Sequence, residues 1–383
     1  MLSAVRCRFC RGLDGGIVLD LGRQPACDHF PLATDPLPDP VHPLRLWLCS
    51  TCGLAQLAED ETSAEEPRGV EPQALVDQAR DAVDRVHRAG LLHCGASVVE
   101  YGSPHGGSWL ELLTARGLRG AAPGESADVV LDCFGLMHAG DQRGALTQRV
   151  TRLADDGTLL VQYHSLAAIL RGGQWNAVRH GHFAYYSTPA LLGMLDAAGL
   201  GATTAWQFDL YGGTVLLAAR RGGQPEPSVL DLECAERTAG VCRPQRVIAL
   251  QQDATRTADA LHAFLVAAKS AGRRVLGYGA ASRAVVLLNR AGIGPDLLPA
   301  VVDASPAKRG RRIPGVGIPV VAPEQLTAVG PDLVLLFVPD LLDEVRAVLP
   351  GVEAAGGRWV LLDPVPRVLD AGRPPSIICR GKG

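Results

Sequence analysis

A chain of 383 residues is too long for one ordinary core, and two or three domains are expected. With 47% hydrophobic and 20% charged residues it has the balance of a globular protein, and a net charge of -3 gives no electrostatic reason to expect nucleic acid or an anionic membrane. No apolar run reaches the roughly 18 residues of a spanning helix, and the opening "MLSAVRCRFC" lacks the apolar core of a signal peptide, so a cytoplasmic location is expected.

In such a location ten cysteines point to metal ligands or buried thiols rather than disulfides. Cys7 and Cys10 form one CxxC pair, and Cys49 and Cys52 a second. Each pair places two thiolates on one tight turn, and four thiolates satisfy tetrahedral Zn2+. Residues 1–70 are therefore read as a zinc-binding ribbon with a long inserted loop and a charged tail, "EDETSAEEPRGVE". With four protein sulfurs the site is closed, and its zinc is structural.

A second segment, 71–221, alternates helices and strands. "QALVDQARDAVDRVHRAGLL" carries Leu75, Ala79, Val83 and Val86 at helical spacing. "SVVEYG" reads as a buried strand, followed by a glycine turn with Gly102 and Gly106 and a helix over "SWLELLTARG". "ADVVLDCFGLMH" is the next strand, then a helix "DQRGALTQRVTRLADDG" capped at Gly157, a strand "TLLVQYHS" and the helix "STPALLGMLDAAGL". "ATTAWQFDLYGGTVLLAARR" reads as two strands around Gly212 and Gly213. Residues 222–270 are read as the linker "GGQPEPS" and helices; 271–383 alternate strands and helices again, as a smaller Rossmann-like unit.

A four-cysteine ribbon, a truncated class I methyltransferase-like sheet and a C-terminal Rossmann-like domain, in that order, resemble the sugar-nucleotide (deoxysugar) C-methyltransferases. "GYGAASRAVVLLNRAGI", "VVDASPAKRGRRIPGVGIPVVAPEQL", "PDLVLLFVPDLLDEV" and "GQWNAVRHGHFAYYSTPAL" carry the resemblance. It implies an α/β fold, S-adenosylmethionine (SAM) as methyl donor, a sugar nucleotide as substrate and a place in natural-product or antibiotic biosynthesis. Gly102, His105 and Gly106 occupy the turn that lies against SAM in that family.

The chain departs from the family in two places. After Gly117, "LRGAAPGE" stands where the family has a strand ending in an acid; the acid position is Ala122. Only two residues separate Glu125 from the next strand, so a segment that cradles adenosine is missing. The family's Tyr-His-Glu-His run also becomes Arg179, His180, Gly181 and His182. His182 matches the family's acid/base histidine, and His164 ends a strand, where open sheets bind ligands. A histidine of near-neutral pKa can take a proton from the carbon next to a ketone, with Tyr185 or Tyr186 donating to the enolate oxygen. His180 is a further candidate, and Arg179 a candidate substrate contact. His105 and His138 lie near the same sheet edge as replacements filling the cofactor groove; the spacing of these histidines matches no metal motif.

The "GYGAAS" turn offers Gly279 and Ser282, with Arg283, to a substrate pyrophosphate; Lys308, Arg309, Arg311 and Arg312 form a basic loop open to the same use or to solvent. The expectation is thus a small-molecule enzyme of the C-methyltransferase family that no longer uses SAM and does His-based epimerisation, isomerisation or elimination next to a carbonyl. The alternatives are a SAM-dependent C-methyltransferase on a keto-sugar nucleotide and a non-catalytic partner of a pathway enzyme.

Overall fold

The computed structural model describes residues 5–62, 67, 69–362 and 364–370. They form two compact units: the described residues of 1–28, 40–66 and 71–254, and those of 29–39, 67–70 and 255–383. Among the described residues no helix is long and apolar enough to cross a membrane.

The strands of the first unit are β1 (Gly15–Pro25), β2 (Val41–Cys49), β3 (Ala55–Leu57), β4 (Ser97–Gly102), β5 (Arg119–Gly120), β6 (Ala127–Cys133), β7 (Leu153–His164), β8 (Ala184–Tyr185), β9 (Gly201–Phe208) and β10 (Thr214–Arg220). They make two sheets, ordered β1-β2-β3-β8 and β5-β4-β6-β7-β10-β9. In the larger sheet β5, β4, β6 and β7 run parallel, while β10 runs antiparallel to both β7 and β9. Successive side chains of a strand face opposite ways, so this sheet feeds two cores. Val129, Leu131, Leu160 and Leu216 pack with Ala79, Val83 and Val86 of the helix Gln73–Arg88. Val130, Val161, Tyr163 and Leu217 pack on the other face with Leu191 and Met194 of the helix Thr188–Ala197. Cys7, Phe9, Trp47 and Leu54 of the ribbon join that same core. The ribbon is thus built onto the sheet, and β8, from the segment after His182, is its fourth strand, pairing with β3 at Ala55 and Gln56.

Two details differ from expectation. The helix after β6 runs only Gln142–Thr151, and Gly157 lies inside β7 rather than capping the helix. The N–H of Ala127 bonds the carbonyl of Arg152 at 2.7 Å, which draws the chain into the sheet before Gly157 is reached. A Cβ at Gly157 would come within 3.0 Å of the Ala127 carbonyl oxygen, so close packing explains this glycine. The linker is also shorter than read, because the helix Pro227–Thr238 starts within it, with proline in its first turn.

The truncation has a clear form. Ala121 is bonded to Val98, and Ala122–Glu125 closes a turn, Glu125 N–H to the Ala122 carbonyl at 3.0 Å. The Glu125 carboxylate accepts from the Ala122 N–H at 2.7 Å and from Arg119, and β6 begins two residues later. No residues remain for a strand between β5 and β6.

The second unit has β11 (Val275–Tyr278), β12 (Val301–Val302), β13 (Val320–Val321), β14 (Leu333–Leu336), β15 (Arg358–Leu362) and β16 (Pro366–Val368), ordered β13-β12-β11-β14-β15-β16. All pairs are parallel except β15 with β16. The order reverses beside β11, the arrangement of a doubly wound, Rossmann-like sheet.

Candidate functional site

Both ribbon knuckles are built alike. The N–H of Arg11 bonds the carbonyl of Cys7 at 3.1 Å, and that of Gly53 the carbonyl of Cys49 at 3.1 Å. Arg11 and Gly53 both take left-handed φ values, 65° and 73°, which turn the chain sharply after each CxxC. The four sulfurs converge within 4.8 Å of one another, with Cys7 to Cys52 and Cys10 to Cys49 each 3.6 Å apart. Zn–S bonds of 2.3 Å in a tetrahedron require sulfurs about 3.8 Å apart, so the donor set fits zinc.

The second cluster stands at the carboxyl ends of the parallel strands, where open sheets bind ligands. After β4, Ser103-Pro104-His105-Gly106 forms a tight turn, closed by the Gly106 N–H on the Ser103 carbonyl at 3.2 Å. Serine first, proline second and glycine fourth are the preferences of a type I turn, and they put His105 at its exposed tip. Gly106 follows at φ 105°. Gly102 forms a bridge with Phe134, and the Glu100 carboxylate accepts from Ser108 Oγ and the Trp109 N–H, tying down the chain just before the short helix Leu110–Thr114. After β6, the turn Leu136–His138 carries His138; His164 is the last residue of β7. His182 comes from the segment before β8.

The ligand nitrogens of His105, His138 and His182 lie within 4.8 Å of one another. His138 and His182 meet edge to face, ring centres 4.6 Å apart, and His105 lies 5.1 Å from His138. His138 Nδ1–H donates to the Gly181 carbonyl at 2.9 Å, which turns Nε2 inwards, 3.5 Å from Ser103 Oγ. His182 is 7% exposed, and neither ring nitrogen has a hydrogen-bond partner among the described residues. Burial, then the charge of Arg179 and the neighbouring histidines, push the His182 pKa well below its ordinary value. Burial and His105 take His138 down to about 3. These two imidazoles are neutral at physiological pH.

The other candidates are placed differently. His180 turns away from the cluster: its Nε2–H donates to the Pro43 carbonyl at 3.1 Å, and its ring packs on His42. Tyr185 accepts the Arg179 N–H at 2.9 Å through its hydroxyl oxygen, and Tyr186 donates to Gln142 Oε1. Burial raises both phenol pKa values, so each hydroxyl is a protonated internal brace. His164, 9% exposed, is near enough to His182 to act on its charge. Arg179 also bears electrostatically on both His138 and His182.

Gly279, Ser282 and Arg283 belong to the second unit. Gly279 has φ 92°, and the Ala280 N–H is held by Asp303 at 2.7 Å. Ser282 is buried at the start of the helix Ser282–Ala291. The basic loop is largely committed within its own unit: Lys308 is buried on the Ala280 carbonyl at 2.7 Å, Arg311 donates to Phe30, and Arg312 pairs with Asp39 at 2.5 Å. Arg309 remains exposed.

Sequence reasoning placed His138 at this sheet edge only as a filler of the groove and missed Asp60, whose carboxylate accepts the Gly181 N–H at 2.6 Å and fixes the segment carrying His182. Nothing local marks Asp60; only the fold brings it to Gly181.

A family model described as "C-methyltransferase C-terminal domain" matches residues 209–366, and one described as "Putative zinc binding domain" matches residues 7–66. The chain is 26% identical over 414 residues to C-methyltransferase NovU of Streptomyces niveus, covering 95% of this chain and 97% of that one. Among solved structures, an O-methyltransferase family protein from Burkholderia thailandensis matches 40% of this chain and 59% of its own, at 18% identity and a TM-score of 0.29. The magnesium protoporphyrin IX methyltransferase ChlM from Synechocystis PCC 6803 matches 39% of this chain and 84% of its own, at 11% identity and a TM-score of 0.30.

Proposed function

We propose that this member of the C-methyltransferase family works at its histidine edge, without SAM, by acid/base chemistry next to a carbonyl. The observation that carries the reading is His182: buried, with both ring nitrogens unpartnered among the described residues, at the carboxyl edge of the parallel strands. A buried polar group without a partner costs about 1–3 kcal/mol, so its retention calls for a function. β5 is followed by Ala122 where a ribose-binding acid is expected, and the turn at Ala122–Glu125 leads straight into β6 with no further strand, which supports the loss of SAM.

In this reading the substrate is a small keto compound, a sugar nucleotide by analogy with the family. His182 is not the near-neutral base expected from the sequence: burial keeps its imidazole neutral and therefore able to accept. It takes the proton from the carbon next to the carbonyl as the enolate's negative charge, forming beside it, stabilises the imidazolium. Return of the proton to the other face, or to another atom, gives epimerisation or isomerisation; departure of a neighbouring group gives elimination. The Arg179 guanidinium favours the enolate by charge.

The test is solvent exchange. With keto-sugar nucleotides and no SAM, the protein in deuterated water is expected to place deuterium next to the carbonyl. Tight binding of SAM or S-adenosylhomocysteine in calorimetry, at micromolar or better, would overturn the SAM-free reading and leave a C-methyltransferase with an abbreviated pocket.

A further inference from the structure

The geometry points to a second metal site, made by His105, His138 and His182, for a divalent first-row transition ion of the zinc class. It is distinct from the four-cysteine site in donor chemistry and in place. Imidazole nitrogen suits zinc, copper, nickel and iron, and three imidazoles with an open fourth position are the donor set of a reactive rather than a structural zinc site.

Three independent features support it. The ligand nitrogens already converge within 4.8 Å, and His105, on an exposed turn, is the arm that can close towards the roughly 3.4 Å of a tetrahedral site. His138 is oriented as metal-bound histidines are: its Nδ1–H is tied to a backbone carbonyl, that of Gly181, at 2.9 Å, which leaves the Nε2 lone pair for the ion. That carbonyl is itself held, because the Gly181 N–H is fixed by Asp60 at 2.6 Å. Finally, His182 is more than nine-tenths buried, with neither nitrogen partnered among the described residues. Arg179 opposes a bare cation but suits a site whose fourth ligand is an anion, hydroxide or a substrate oxygen.

A bound ion changes the chemistry at this edge, and here the inference rests on the acid/base reading. His182 becomes a ligand, and the proton from the substrate carbon passes to the metal-bound hydroxide, which becomes metal-bound water.

The experiment uses the full chain with its ribbon loaded with zinc. Dialysis against excess Zn2+ followed by elemental analysis is expected to give two equivalents per chain. His182→Ala should retain one. His105→Ala, a change on an exposed turn that leaves the fold in place, should weaken the second equivalent at least 10-fold in Co2+ titration. The Co2+ bands of the second equivalent should be those of a nitrogen site, without the thiolate charge-transfer band. One equivalent in the wild-type chain, or two held unchanged by both variants, overturns the site. The two readings separate cleanly. Solvent exchange with one equivalent of metal sinks the metal site alone. Two equivalents without exchange on any keto-sugar nucleotide sustain the metal site and sink the acid/base reading.

Discussion

His138 and Gly181 are joined by a 2.9 Å hydrogen bond from imidazole Nδ1 to backbone carbonyl, and it locks the end of one strand to the segment that carries His182. Gly181 makes this bond at φ 80°, a left-handed conformation that disfavours any residue with a Cβ, and a Cβ there would also sit 3.3 Å from Asp28 Oδ2. Gly181→Ala is therefore expected to lose about 1–2 kcal/mol in denaturant unfolding, and activity at the histidine edge with it. An alanine variant as stable and as active as the parent would show that the segment tolerates other backbone geometries.

His182→Asn keeps polarity and approximate size but cannot take the proton. Turnover should fall by about 10²–10⁴-fold, with the circular dichroism spectrum and the ribbon zinc unchanged. His180→Asn is the companion, since His180 is bonded to Pro43 outside the cluster, and its effect should appear in stability rather than in turnover. Normal turnover in His182→Asn would reduce His182 to packing.

Zinc in the ribbon should matter beyond the ribbon. Cys49→Ser is expected to lose that metal, and with it a large part of the folding free energy, since structural zinc in small ribbons contributes on the order of 10 kcal/mol. Because β8 is the ribbon's fourth strand, hydrogen exchange should accelerate over residues 179–186 as well as around the cysteines. Full protection of 179–186 in a metal-free variant would uncouple the two.

Glu236 gives a pH prediction. Burial raises its pKa, against hydrogen bonds from the Thr188 N–H, the Thr188 hydroxyl and the Ser165 hydroxyl. The folded state therefore holds this proton to a higher pH than the unfolded chain does. Between the ordinary carboxyl range and the raised folded value, each step up in pH costs stability. Glu236→Gln removes that titration. The difference in melting temperature, variant minus parent, should thus become more positive from pH 4 to pH 8. A flat or falling difference would mean that the hydrogen bonds outweigh burial.

What could be read from the sequence was what is encoded locally. Cys7, Cys10, Cys49 and Cys52 announce themselves because each knuckle is one turn of chain. The strands at Ser97–Gly102 and Thr214–Arg220 and the helix Gln73–Arg88 follow from apolar periodicity. The end of the helix before β7 was misplaced because a glycine in a sequence cannot say whether it caps a helix or makes room for a neighbouring strand. That His105, His138 and His182 share one sheet edge is legible from the strand order, but their convergence within ligand distance is not, for a related reason. Each stands after a different strand or in a separate loop, and only the parallel order of β4, β6 and β7 puts them on one edge. Residues 29–39 read as ribbon by position, yet they fall in the second unit, where Phe30, Leu37 and Asp39 meet Arg311 and Arg312.

The pairing of Ala55 with Tyr185 also sets an order of assembly. All four cysteines leave the ribosome before the strands of the larger sheet do, so the ion can be captured while that sheet has yet to be made. The ribbon's last strand arrives only after β7 and the segment bearing His182 have been synthesised, and such a distant pairing forms slowly. Until then the outer edge of β3 is an unpaired strand, open to pairing with other nascent chains. Slow translation between Leu57 and Tyr185, or a shortage of chaperones, should therefore be felt as aggregation of chains that have already taken up their zinc.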